Sequence, residues 1–153
     1  MPDDVFHTHA HPVWRDRSDF IVGVALPEHD HYEQLWVRRL SDDTFELCCI
    51  PLFAADLSLG DVVRTESRDG RDFMVADVVQ PSGWWTFRVW LGKSADTIAS
   101  VADELGTLGA LSEPGSEHLL AVGVPDETSA VRLAARLQTG ENEGRWIYET
   151  GKS

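Results

Sequence analysis

Three histidines alternate near the start of the chain, His7-Thr8-His9-Ala10-His11. In an extended segment a period of two puts the imidazoles on one edge, about 6.6–6.8 Å between successive Cα positions. Neutral imidazole ligates zinc, copper or nickel, and two histidines so spaced can share one ion. Asp3 and Asp4 could add oxygen ligands, and His29 and His31 repeat the spacing in Glu-His-Asp-His. The expectation is no resident cofactor, with zinc on His7, His9 and His11 as the metal reading the spacing allows. Its plain alternative is a solvated arm.

Glu33, Asp61 and Glu149 stand at the ends of expected strands, where acids could line one rim. The alternative is that Asp61 caps a turn and the others are edge charges. Asp42-Asp43 and Asp103-Glu104 are pairs of acids, but glycosidase-type chemistry needs two carboxylates converging with split pKa values. Neither pair is set apart from its surroundings. Cys48 and Cys49 are sequence neighbours, a spacing that strains a disulfide, and read as small core residues. The chain has no G-x-S-x-G, no Walker-type G-x-x-x-x-G-K-S/T loop, no H-E-x-x-H and no spaced cysteine pairs. No catalytic residue is assigned.

Six tryptophans are many for 153 residues. Trp36 shares a strand face with Arg38, and Trp90 with Arg88. Exposed Trp beside Arg is a common anchor of protein interfaces. A binding surface built from Trp36, Glu33, Asp61, Arg88, Trp90, Trp146 and Glu149 is one reading of this excess. Packing between two halves of the chain is the other.

Charge narrows the partners. Asp plus Glu number 26 against 13 Lys plus Arg, a formal net charge of −13. Residues 1–83 hold 16 acids against 7 bases, and residues 84–153 hold 10 against 6. Sequence-independent nucleic-acid binding needs cations that displace condensed counterions, and an anionic membrane surface repels such a chain. A basic protein is the partner this charge favours. The start has neither the basic nor the apolar segment of a signal peptide, and no run approaches the length of a membrane helix, so a cytoplasmic location is expected.

The elements that must position these residues follow from periodicity. Residues 1–19 read as an extended arm. Alternation predicts strands over Phe20–Leu26, Tyr32–Leu40, Thr44–Pro51, a stretch entered after Gly60-Asp61, and Phe73–Val79, with Asp69-Gly70 as a hairpin turn. Five short strands predict a small, bent antiparallel sheet or half-barrel over residues 20–83. From residue 84 the pattern changes to strand, helix, strand, strand, helix, strand. Ser94 is the candidate cap of the first helix, Gly109 its stop, and Gly140 the stop of the second. The fold class is α+β, with the β-unit packed on a ferredoxin-like βαββαβ unit over 84–153.

Several strings then stand out together: Tyr32-Glu-Gln-Leu-Trp-Val37, Phe45-Glu-Leu-Cys-Cys-Ile-Pro-Leu-Phe53, Leu59-Gly-Asp-Val-Val63, Ser82-Gly83, Arg88-Val89, Ala121-Val-Gly-Val-Pro125 and Trp146-Ile-Tyr-Glu149. With them residues 20–150 resemble a bacterial family catalogued as a domain of unknown function, DUF4265. The resemblance implies a cytoplasmic bacterial protein and supplies no catalytic residues. The arm His7–Trp14 lies outside the family core.

The function to expect is a non-catalytic acidic protein-binding module, of inhibitor or immunity type, masking a basic partner. The alternatives are a small-molecule-sensing ferredoxin-like module that pairs edge to edge as a homo-oligomer, and a metal-dependent enzyme working through the histidine arm.

Overall fold

Alternation of apolar side chains builds the first sheet strand by strand. In the computed structural model, which describes residues 4–92 and 95–151, its strands are β1 (Val5–His7), β2 (Phe20–Ala25), β3 (His31–Arg39), β4 (Thr44–Leu47), β5 (Val62–Arg68) and β6 (Arg71–Gln80). Asp3, a possible ligand, and Ser94, the expected helix cap, lie outside the described residues. The strand order is β1-β3-β2-β6-β5-β4, and β3 also pairs with β4. That last pairing closes β3, β2, β6, β5 and β4 into a small barrel. Val22, Leu35, Val37, Phe45, Leu47 and Val63 point inward and are buried. Asp69 and Gly70 both adopt positive φ, 53° and 77°, as a two-residue hairpin turn requires.

Two expectations change here. The unit is a closed barrel rather than a half-barrel, and it is not wholly antiparallel. β1 runs parallel to β3, and β2 meets β6 in parallel through the single pair Gly23 and Met74. The described part of the arm, residues 4–19, is also built in: β1 adds to the barrel, and residues Arg15–Arg17 form a 3-10 turn.

The second sheet comprises β7 (Trp85–Trp90), β8 (Leu111–Pro114), β9 (Leu119–Val124) and β10 (Ile147–Thr150), in the order β10-β7-β9-β8, antiparallel throughout. Helices α1 (Ile98–Gly106) and α2 (Glu127–Asn142) fill the connections. Thr97 caps α1 by accepting from the Ser100 N–H, and Asp126 caps α2 through Ser129. Val101, Leu105, Leu133 and Leu137 share one core with Phe87, Val89, Leu120 and Val122, so both helices cover one face of the sheet. All six residues of β9 are buried, because the barrel covers the other face.

Gly140 is not a helix stop. α2 continues to Asn142, and a Cβ at Gly140 would lie 2.1 Å from Cζ2 of Trp146. The glycine makes room for an indole that is itself buried and donates to the Leu137 carbonyl at 2.8 Å. Gly140→Ala overpacks this contact and is expected to destabilise by about 1–3 kcal/mol. A lower urea midpoint at unchanged slope is the expected readout.

Between barrel and second sheet lies a third cluster of Ile50, Leu52, Leu59 and Ala121, with Trp14, Trp84 and Leu111 against it. The segment that supplies much of it, residues 48–54, is not strand. β4 ends at Leu47, short of the expected Pro51.

Candidate functional site

The reason β4 ends early is where the next amides go. Glu33 is on β3 in phase with Leu35 and Val37, so its carboxylate points inward and is fully buried. Its Oε1 accepts from the N–H groups of Phe53 and Ala54, each at 2.9 Å, and its Oε2 from Leu52 at 2.7 Å. Glu113, on β8 of the other sheet, accepts from Ile50 N–H at 2.5 Å and Val13 N–H at 3.3 Å. Every amide hydrogen of residues 50–54 is thereby used; the one residue left out, Pro51, has none to give.

His9 stands between the two carboxylates. Nε2 donates to Glu33 Oε2 at 2.6 Å and Nδ1 to Glu113 Oε1 at 2.7 Å. A ring that donates from both nitrogens is an imidazolium. Burial pulls the His9 pKa down, but hydrogen bonds with Cys49, Glu113 and Glu33 outweigh it and leave it pushed up to about 12. For Glu33, burial works upward, and the His9 hydrogen bond and charge with the Leu52 and Phe53 amides outweigh it, holding the carboxyl below its ordinary range. Burial pushes the Cys49 thiol up, against the pull of His9. Cys49, His9 and Glu113 thus resemble a nucleophile, base and orienter, but the chemistry is closed. His9 has no lone pair to take the thiol proton, and the group is sealed from solvent.

A second polar knot lies on the same side of the barrel. Asp61 is buried, and accepts from Ser58 N–H at 2.9 Å and Ser82 N–H at 2.8 Å. Ser82 Oγ donates to the Leu59 carbonyl, and Thr86 Oγ1 to Ser58 Oγ. Gly60, at φ 82°, approaches Ser82 so closely that a Cβ would sit 3.0 Å from the serine Cβ. Asp61 therefore fastens the entry of β5 to the crossing into β7. Arg88, buried on the barrel-facing side of β7, donates to the Leu52 carbonyl at 2.6 Å and to Glu149 at 3.0 Å.

The proposed rim and surface residues therefore separate. Glu33, Asp61, Arg88 and Trp146 are interior, and Glu149 is half-exposed as the partner of Arg88. Trp36 and Trp90 are partly exposed, and the Arg15 guanidinium lies over Trp36. The three alternating histidines do not share an edge. His7 stacks on His31 and meets the Phe53 ring at a tilt, His9 enters the core and His11 is exposed. No group of three or more His, Cys, Asp or Glu side chains is placed to hold a metal ion among the described residues. Sequence reasoning missed Glu113, although its phase with Leu111 in a short strand signals an inward carboxylate, as does the phase of Glu33 with Leu35.

The strings that stood out in the sequence meet at these knots: Glu33 of the first, Ile50 to Phe53 of the second, Gly60-Asp61, Ser82-Gly83 and Arg88. The family described as a domain of unknown function, DUF4265, matches residues 33–148. The chain belongs to the DUF4265 family. Its matched region opens on Glu33, so His9 lies outside it while both carboxylates that hold His9 lie within. No curated protein matches the chain. Among solved structures, a hypothetical protein from Neisseria gonorrhoeae is similar in fold, with a TM-score of 0.72 at 21% identity, covering 86% of this chain and 93% of that one. The barrel, the second sheet and its helices are thus an arrangement that this DUF4265 member has in common with a distant protein.

Proposed function

We propose that the protein is a non-catalytic acidic module that binds a basic protein, as an inhibitor or immunity-type protein does, in the bacterial cytoplasm. The observation that carries this reading is the division of charge. The groups with chemical potential, His9, Glu33, Glu113 and Asp61, are consumed internally. The cations are largely consumed as well. Arg17 and Arg38 share Glu46, Arg64 faces Asp77, Arg68 faces Glu66, and Arg136 and Arg145 share Glu104. Exposed Asp42, Asp56, Asp103, Glu117, Glu127 and Glu143 carry no ion pair among the described residues, and the chain as a whole has a formal net charge of −13, so the surface field is negative. Such a field speeds encounter with a cationic surface and excludes acidic ones. No helix among the described residues is long and apolar enough to cross a membrane.

We read the C-terminal unit as ferredoxin-like. The strand order β10-β7-β9-β8, with both helices on one face, supports that reading. Affinity capture from the native host, followed by salt titration with the recovered partner purified, tests the function. A basic partner whose affinity falls about tenfold or more from low to physiological salt is expected. A neutral or acidic partner, or binding indifferent to salt, overturns it.

A further inference from the structure

Every strand junction in the barrel is a ladder of several pairs except one. β2 and β6 meet only at Gly23 and Met74. Phe73, at φ 58°, kinks β6 immediately before that pair. Beyond it the strands part around a groove of about 510 Å³. On β2, Leu26 N–H donates to the His31 carbonyl, so by the alternation of an antiparallel ladder Leu26 and Val24 turn their backbone groups toward β3. Gly23 and Ala25 turn theirs toward β6. Gly23 meets Met74; the register gives Ala25 no partner on that side.

We propose that this seam receives an extended basic segment of the partner, which pairs with the main-chain groups of Ala25, left open at the end of β2 beyond the Met74 pair, as a short added strand. The inference rests on the acidic-module reading and deepens it by naming where and how the partner docks. Main-chain hydrogen bonds at a free edge supply affinity, and pockets for alternate side chains supply selectivity. The floor here is apolar, with Phe53, Leu57, Val75 and Val78. The charged residues around it are Asp56, Asp77 and Arg68. Arg68 is engaged by Glu66 and Asp77 by Arg64, while Asp56 is exposed with no ion pair among the described residues. A strand alternating apolar and Lys or Arg side chains matches this layout: apolar groups fill the floor and cations reach the rim.

The test uses the full chain and a library of random eight-residue peptides. Enriched peptides are expected to alternate apolar and basic residues and to perturb the amide resonances of residues 23–26 and 75–80. N-methylating alternate backbone amides of such a peptide is expected to weaken binding at least tenfold with the protein unchanged. Ala25→Pro, which removes the N–H facing the groove and leaves the β3 ladder intact, is expected to do the same. Val78→Lys is expected to repel the basic peptide while the far-UV spectrum stays that of the parent. No enrichment, perturbation elsewhere on the protein, or full binding by the N-methylated peptide overturns the seam and leaves the acidic-module reading standing. Enrichment of acidic peptides at the seam overturns the basic partner instead.

Discussion

His9→Ala is expected to lower folding stability by about 3–5 kcal/mol, the range for stranding a buried charge by removing its partner. The substitution leaves Glu33 and Glu113 facing each other with no cation between them, each still holding backbone amides of residues 50–54. Because the two carboxylates belong to different sheets, their repulsion acts on the junction between barrel and second sheet. For a chain of this size the loss corresponds to roughly 6–20 °C in Tm. Adding Glu113→Gln removes one of the opposed charges while keeping an acceptor for the Ile50 amide, and is expected to recover part of the loss. The double-mutant cycle is therefore strongly non-additive. Chemical denaturation of the four proteins at one pH checks this. Additive losses, or a His9→Ala protein as stable as the parent, contradict the network.

Stability is also expected to fall with rising pH in a range where most proteins are indifferent. His9 has its folded pKa raised from 6.5 to about 12, so its stabilisation is complete below pH 6.5 and is lost as pH climbs toward the folded value. One extra bound proton sets a limiting slope of about 1.4 kcal/mol per pH unit. Glu33 has the opposite sign. Its folded pKa is lowered from 4.5, so its stabilisation is present above that value and is lost as pH falls. The optimum therefore lies between about pH 4.5 and 6.5. Urea unfolding between pH 6.5 and 8.5, below the ordinary thiol pKa of 9.0, isolates the His9 contribution from those of Cys48 and Cys49. The slope is expected in the parent and absent in His9→Ala.

How much of this was legible depended on whether the cause was local. The β5–β6 hairpin follows from Asp69-Gly70, and α2 from the Asp126 cap with Ala130, Leu133 and Leu137 in helical phase. The inward carboxylate of Glu33 was written in its phase with Leu35, although acids at strand ends read more naturally as a rim. Residues 48–51 read as the end of a strand because Cys48, Cys49 and Ile50 are apolar. They leave the sheet because carboxylates far away in the chain claim the amides that follow. His9 lies 24 residues from Glu33 and 104 from Glu113, a meeting that no spacing in the arm announces. Barrel closure likewise depends on β2 meeting β6 through Gly23 and Met74, a long-range pairing invisible to periodicity, whereas β3 and β4 pair as a local hairpin.

The most direct measurement is the ring-nitrogen NMR spectrum of the protein labelled with nitrogen-15 in histidine, followed from pH 5 to pH 9. One of the six histidines is expected to keep protons on both ring nitrogens throughout, and this signal to vanish in His9→Ala. Six imidazoles that all become neutral by pH 9 would mean that His9 retains a free lone pair, and the internal ion network would not exist as described.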